Sequence, residues 1–575
     1  MVDLVIRNAM VADGVSPELR RADVAVDKGV IVAVGRVDDS STNTIDADGL
    51  VLSPGLIDVH THYDAQLFWD GAATPSSLHG VTTVMAGNCG FSIAPLEPSQ
   101  ADYLAAMLAR VEGIPLESLM AGVPWNWRTF GEYLAQLDGQ VAVNAGFMVG
   151  HTTIRRAVMG ADDEREATAA EVTAMEGLLR ESLAAGGFGL SSSIATSHND
   201  ANGRAISARY ASRDEILRLC KVTGEYPGTT LEFIPSVSLF FEEHHMDLMT
   251  SMSLAADRPL NWNILNVNTT LWDGSQQRLT AGDYARERGA TVIALTMPIS
   301  STMYVNFVSG FVIDTFDGWT DLFEMPGDAR LSQLREPERR ARMRKGVEQA
   351  DTILTRRMRD WSALIIGDAY TPATKKYEGR SLGQIVADEG GDAFEKLIDI
   401  VIADDLRTVI VIPPIGNDPD SWRLRAQVWN DERALIGGSD SGAHLDMINT
   451  FIMGTSLPGP IVRDGHIDLG SAVRLMTSAP ARLYGLRDRG TIAEGQRADL
   501  LLFDPSTIGP GRVYTRNDMP GGASRLYSDG EGVSRVIVNG VTVAREGALT
   551  GATPGTILRS GRDSRTVHAN GRVSA

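Results

Sequence analysis

Cysteine is nearly absent: the 575-residue chain holds only Cys89 and Cys220. Two thiols cannot build a disulfide framework, which excludes the small stapled scaffolds and points to a reducing compartment. Basic charge is short as well. Lys and Arg number 53 against 73 Asp and Glu, a formal net charge of −20. No basic patch offsets a phosphate backbone, so a nucleic-acid partner is not expected. Long apolar runs are missing too: no uninterrupted stretch of about 18 apolar residues occurs, so neither a transmembrane span nor a membrane partner is expected. The opening segment MVDLVIRNAMVADG reads as a strand and a turn, without the basic and apolar regions of a signal peptide. A cytoplasmic location is the expectation. There is no low-complexity tract or short internal repeat.

What is present suits a large folded chain. Hydrophobic residues make up 43% and charged residues 22%, enough for a sizeable core. Length alone suggests about four domains, a soft prior that elaborated α/β barrels break. Residues 1–53 read as short strands with turns between them, and Val24, Val26, Ile31 and Ala33 alternate as one buried face would. A similar texture returns in GTIAEGQRADLLLFDP and VSRVIVNGVTVAREG near the C-terminus. The pattern leaves open whether these two ends pair or form unrelated β segments.

Between them, apolar strands alternate with helical stretches. Strands are expected within 55–62, 80–90, 141–151, 187–193, 228–235, 260–267, 290–296 and 434–444, and helices at 98–112, 164–185, 213–224 and 471–485. Eight near-continuously apolar strands interleaved with helices point to a (β/α)8 TIM-type barrel over 54–485 rather than an open sheet. From about 300 to 430 an insertion breaks the rhythm. Its charged run REPERRARMRKGVEQADTILTRRMRDW reads most simply as a solvated helix, and its place before the last strand suits a lid.

Three groups of residues carry chemistry. His60 and His62 stand two apart at the end of the first strand, in PGLIDVHTHYD, so both imidazoles can project to one side and reach one metal ion. Active sites of α/β barrels collect at that end. Cys89, in MAGNCGFS, follows the second strand between Gly87 and Gly90. It reads as a soft metal ligand, as a buried apolar thiol, or as a nucleophile activated by a histidine. Asp440, in LIGGSDSGAH, can ligate metal, carry a proton, or cap a helix. His444, four residues on, can touch substrate or lie on the surface. Cys220, in EILRLCKV, reads as core. Ser191, Ser192, Ser193 and Ser441 lack a complete G-x-S-x-G elbow.

Together these segments resemble the amidohydrolase superfamily. The resemblance rests on His60-x-His62 after PGLIDVH, Gly87-Asn88-Cys89-Gly90, Gly150-His151 with Arg155, Gly187-Phe188-Gly189-Leu190-Ser191 and Gly438-Ser439-Asp440. More narrowly they look like its D-aminoacylase (N-acyl-D-amino-acid deacylase) branch, and the likeness covers nearly the whole chain, including ADLLLFDP at 498–505. The resemblance implies a (β/α)8 barrel beside a small β-sandwich built from 1–53 and 486–575. It also implies zinc-dependent hydrolysis of a C–N amide bond in an N-acyl amino acid or related N-acyl amine, by attack of water activated on zinc. It makes Cys89 a metal ligand and Asp440 the general acid/base. His151 would add a hydrogen bond to the carbonyl oxygen, and Arg155 would grip a substrate carboxylate; a structural role remains open for both. A small-molecule amide is the expected partner, with self-association into a homo-oligomer a common trait of such barrels.

The chain departs from that pattern at the fifth and sixth strands, where the family carries metal-binding histidines. Here the segments read TTLEFIP and NWNILNVN. Glu232 stands nearest the first missing ligand and Asn263 or Asn266 nearest the second; the amides are poor zinc ligands and suit substrate contact. His60, His62, Cys89 and Asp440, with Glu232 in reserve, suffice for one zinc per chain and not comfortably for two. His198, His244 and His245 lie in loops from which a replacement ligand can come. The rival readings are a non-catalytic binding or assembly protein that has lost its ligands, and a cysteine hydrolase using Cys89.

Overall fold

Eight short parallel strands carry most of the residues singled out above. In the computed structural model, which describes residues 1–38, 40–350 and 353–574, they run Leu56–Asp58, Val81–Ala86, Asn144–Phe147 with its continuation Val149–Gly150, Gly189–Ser193, Thr230–Ile234, Leu260–Leu265, Val292–Thr296 and Ala434–Ile436. The first three pair as one parallel sheet, and the continuation of the third pairs onward with the fourth to eighth as another. The two sheets meet at Met148, whose N–H donates to the Ala86 carbonyl at 2.8 Å. On the other side, Thr61 and Ser441 form a parallel bridge, flanked by bonds from Asp440 N–H to the His60 carbonyl and from His62 N–H to the Ser441 carbonyl. The arrangement is consistent with a barrel. Both faces of these strands are buried, so the polar residues they carry, such as Asn144, Glu232 and Asn261, are buried as well.

Helices lie between the strands, and some of them start on side-chain caps. Thr168 and Glu171 form a reciprocal capping box before Ala169–Ala184, and Ser212 caps Arg213–Gly224. Among the described residues, no helix is long and apolar enough to cross a membrane.

The two ends of the chain hydrogen-bond in one nine-stranded sheet. Its central contact is antiparallel, with Leu502 opposite Leu52 and Leu500 opposite Pro54. Alternation divides that strand between two cores: Leu500 and Leu502 pack with Leu4, Ile6, Val24 and Ile31, whereas Leu501 and Phe503 face the core shared with the parallel strands. The last segment then runs along the strands' N-terminal ends, bonding Leu558 to Ala145, Ser560 to Gly186 and Thr291 to Ala569. The opposite end is left for the site.

Between the seventh and eighth strands the chain folds around a core of its own. Met303–Val305, Ile365–Ile366 and Ile410–Ile412 form an antiparallel sheet that packs with Phe307, Trp319, Leu364 and Leu397. The charged run is less solvated than its composition predicts. In the helix Pro337–Gln349, Arg339, Met343 and Val347 are buried, and Arg339 clamps both oxygens of Asp321 at 2.7 Å. Charge fails to report burial here because a guanidinium goes inside when a carboxylate meets it bidentately. Asp351 and Thr352 of that run lie outside the described residues.

Candidate metal centre

The parallel strands end in turns that only a few residue types tolerate, and these turns hold the site. Gly87 adopts φ +76°, and a Cβ there would stand 2.3 Å from the Met148 carbonyl oxygen. Cys89 follows with φ 58° and Asp440 with φ 59°, both left-handed. Ser191 fixes the cysteine turn, its hydroxyl donating to the Gly87 carbonyl at 2.5 Å and accepting from Gly90 N–H at 3.2 Å.

Four donor atoms converge at these strand ends. Cys89 Sγ lies 3.3 Å from His60 Nε2 and 3.5 Å from His62 Nε2. Asp440 Oδ1 lies 3.4 Å from His60 Nε2 and 3.1 Å from His62 Nε2. All four groups bring ligand atoms within 4.8 Å of one another. A tetrahedron drawn around zinc at about 2.0–2.3 Å has edges of roughly 3.3–3.8 Å. The spacing therefore fits one ion, and two imidazoles, a thiolate and a carboxylate are a donor set zinc accepts.

Electrostatics points the same way. His60 Nδ1, Glu232 Oε1, Asn263 Oδ1 and Asp440 Oδ1 are buried without a hydrogen-bond partner. Burial pushes Glu232 up to about 8, although the Cys89 amide holds its other oxygen at 2.9 Å. Burial, with Glu112, Glu232 and Asp440 nearby, pushes the Cys89 thiol well up. Burial also raises Asp58 to about 7 and Asp64 to about 6. So many buried acidic groups around two imidazoles are stabilised by a cation. Burial opposes a charge on His62, yet the Glu112 and Asp440 carboxylates lift it to about 10. The protonated ring thus stands where positive charge is wanted.

The remaining expected residues separate into those at the site and those elsewhere. Glu232 does not join the four converging atoms. It lies behind them, its Oε2 accepting from Cys89 N–H and its unpartnered Oε1 3.8 Å from His60 Nδ1, and it is not among the four groups whose ligand atoms converge. Asn263 Nδ2 is 2.9 Å from His60 Nε2, and Asn266 lines the cavity above. His444 Nε2 is 3.6 Å from Asp440 Oδ2, and burial pulls its ring below the usual value. His198 lines the same cavity, with burial lowering it to about 4. His245 instead caps Glu243–Ala256, and neither it nor the exposed His244 joins a ligand group.

His151 and Arg155 require a correction. His151 bonds Ser192 Oγ through Nδ1 and Glu215 Oε1 through Nε2, each at 2.8 Å. Arg155 is fully buried, with Nη1 donating to both Glu215 oxygens at 2.6 and 2.5 Å and Nη2 donating to the Arg165 carbonyl. Every donor direction that a substrate would need is taken by the protein, so these two residues tie the third and fourth strands to the following helix. Cys220 is buried, as expected of core.

Sequence reasoning missed Glu112. It ends the helix Ala101–Val111, is 3% exposed, and puts Oε2 3.5 Å from His62 Nε2. Glu112, Asp440 and His444 form a further group with ligand atoms within 4.8 Å of one another. No motif flanks it in RVEGIP; the signal is only that a buried carboxylate needs a partner.

A cavity of about 470 Å³ opens over Cys89, Glu112 and Asp440 and is closed on one side by Phe311, Val312 and Thr315 of the insertion. A second space of about 340 Å³ shares Asn263, Ile264, Asn266, Asp440 and Met447 with it and continues between Leu265, Met297 and Ile299.

Comparison with known proteins gives a consistent result. The sequence profile described as the amidohydrolase family matches residues 43–390 and 424–544. A D-aminoacylase of Alcaligenes xylosoxydans xylosoxydans is 27% identical over 97% of this chain and 97% of its own. An N-acyl-D-aspartate deacylase of the same organism is 29% identical over 97% of this chain and 95% of its own. A solved D-aminoacylase structure, described as having a binuclear metal centre with one-metal activation and second-metal attenuation, covers 97% of this chain and 100% of that one at 26% identity, with a TM-score of 0.63.

Proposed function

This chain belongs to the amidohydrolase family, and from that premise we propose that it hydrolyses the C–N amide bond of an N-acyl amino acid or a related N-acyl amine with one zinc per chain. In this reading the eight strands close into a (β/α)8 barrel over 54–485, and residues 1–53 and 486–575 form a small β domain beside it. The observation that carries the reading is the meeting of His60 Nε2, His62 Nε2, Cys89 Sγ and Asp440 Oδ1 at tetrahedral spacing. When bound, zinc lowers the pKa of a water from about 16 towards 7 and polarises a carbonyl oxygen.

The chain's own groups do the rest. The neighbouring His60 and His62 rings hold the Asp440 carboxyl well below the usual carboxylate range, against the cost of burial. Its Oδ2, directed at His444, takes the proton of the attacking water and returns it to the departing nitrogen. His444, kept neutral by burial, is placed to hydrogen-bond the substrate. Glu232 accepts from the Cys89 N–H and so holds the cysteine turn in place. Glu112, with Oε2 3.5 Å from His62 Nε2, adds a carboxylate to the negative charge that a bound zinc would offset. The cysteine-hydrolase reading is disfavoured by the same surroundings, because a nucleophilic thiol needs a lowered pKa and carboxylates raise this one.

The test is a panel of N-acetyl derivatives of D- and L-amino acids and of simple amines, assayed before chelation, after it, and with zinc returned. Hydrolysis that disappears on chelation and returns with zinc is expected. Hydrolysis that survives complete metal removal would favour the cysteine reading, and a metal-loaded protein that cleaves nothing would favour the non-catalytic one.

A further inference from the structure

The cavity over the metal centre contains a cation without a partner. Arg278, on the helix Trp272–Arg286, lines that cavity together with Cys89, Asn263 and Asp440. Its guanidinium carbon lies 4.7 Å from the Phe241 ring centroid and 4.6 Å from that of Trp262, so two aromatic rings fix the group. Its buried Nε has no hydrogen-bond partner, and among the described residues no carboxylate forms an ion pair with it. Burial alone lowers it, to about 10, so it remains charged at neutral pH.

The other guanidinium groups around the site differ. Arg110 is paired to Asp314 at 2.9 Å. Arg357 donates to the carbonyls of Ile412 and Pro413. Arg425, in the neighbouring space, stacks on Trp422 and feels the Asp418 carboxylate, although its Nη1, like the Arg357 Nε, is buried without a hydrogen-bond partner. Of the two arginines lining the cavity over the metal centre, Arg110 is thus paired and Arg278 is left uncompensated, and a desolvated, unpaired guanidinium is costly unless an anion arrives.

We propose that Arg278 binds the substrate's carboxylate, so that the substrate lies with its acid group on Arg278, its amide at Asp440, and its acyl chain in the space between Leu265, Met297 and Ile299. The proposal rests on the amidohydrolase reading above and narrows it from N-acyl amines in general to N-acyl amino acids. Guanidinium and carboxylate form planar, charge-assisted hydrogen bonds, which no neutral amine substrate can replace. The apolar part of the second space, from Leu265, Val267, Met297 and Ile299, suits an acyl chain, while Asn268, Ser300, Arg357 and Arg425 line the rest of it.

The experiment compares wild type with Arg278→Gln, Arg278→Lys and Arg425→Gln on an N-acyl amino acid from the panel and on its carboxamide, with zinc content measured on each protein. Losing a hydrogen bond between charged groups corresponds to about 10–100-fold. Arg278→Gln is expected to raise KM for the acid by about that factor, leave kcat within a few-fold, and leave the carboxamide unaffected. Arg278→Lys should recover part of the loss. Equal damage to acid and carboxamide, no damage to either, or a selective loss in Arg425→Gln instead would overturn the assignment. Binding of N-acetyl-leucine and its carboxamide to the zinc-loaded protein, by calorimetry, separates the two levels of the argument. Acid-selective binding that Arg278→Gln abolishes, without any turnover, upholds Arg278 while refuting hydrolysis. Turnover with equal binding of acid and carboxamide does the reverse.

Discussion

His79 makes the fold sensitive to acid in a way that can be calculated. It is fully buried, with Nδ1 2.7 Å from Thr455 Oγ1 and Nε2 3.1 Å from the Ser528 carbonyl. A carbonyl only accepts, so Nε2 carries the proton and Nδ1 accepts from the threonine hydroxyl, leaving the ring neutral and satisfied. Burial lowers its pKa from 6.5 to about 4. The unfolded chain therefore binds a proton as pH falls through 6.5 while the folded chain does not until about pH 4, so stability is lost across that window. At a pH of about 4.5 the loss from this one group is about 2.5 kcal/mol. The unfolding entropy expected of 575 residues is about 1.2 kcal/mol per kelvin. The loss then corresponds to a fall of about 2 °C in the thermal midpoint. Other groups titrate in the same range, so the assay is a double difference: midpoints of wild type and His79→Gln by calorimetry at a fixed scan rate, near neutral pH and at a pH of about 4.5. The variant pays a pH-independent cost for its imperfect contact with Thr455, but its midpoint should fall by about 2 °C less than that of wild type. Equal acid shifts in the two proteins would refute the reasoning.

Two further substitutions separate structural from chemical roles. Glu215→Gln leaves the fully buried Arg155 uncompensated, and breaking such a pair costs about 3–5 kcal/mol. Chemical denaturation should report that loss, while zinc per folded chain stays at the wild-type value; an inactive variant of unchanged stability would return His151 and Arg155 to the chemistry. Gly87→Ala forces a Cβ against the Met148 carbonyl at φ +76°. The left-handed backbone alone costs about 1–2 kcal/mol. The displaced Cys89 turn should weaken zinc binding in a chelator competition, and unchanged affinity would show that the turn does not set the thiolate's position.

Much of the fold was legible because apolar residues and turn signals recur at the spacing of alternating strands and helices, and each of the eight expected strand ranges contains an observed strand. His60, His62, Cys89 and Asp440 were legible because turns at strand ends constrain backbone and side chain together. His151 and Arg155 misled because a motif names residues without saying what already occupies their donors, and Glu215, in the helix Arg213–Gly224 ahead of the fifth strand, carries no motif of its own. Glu112 and Arg278 were silent for the same reason: a single charged residue on a helix looks solvated until the structure buries it. The insertion concealed its core behind arginines that pair inward, as Arg339 does with Asp321.

If four side chains hold one zinc, metal content per chain shows it most directly. Elemental analysis of protein purified without chelators, for wild type and Cys89→Ser side by side, should give about one zinc per wild-type chain and substantially less in the variant. A wild-type chain that carries no metal and takes up none when zinc is supplied would contradict the account, as would a Cys89→Ser variant that binds zinc as tightly as wild type.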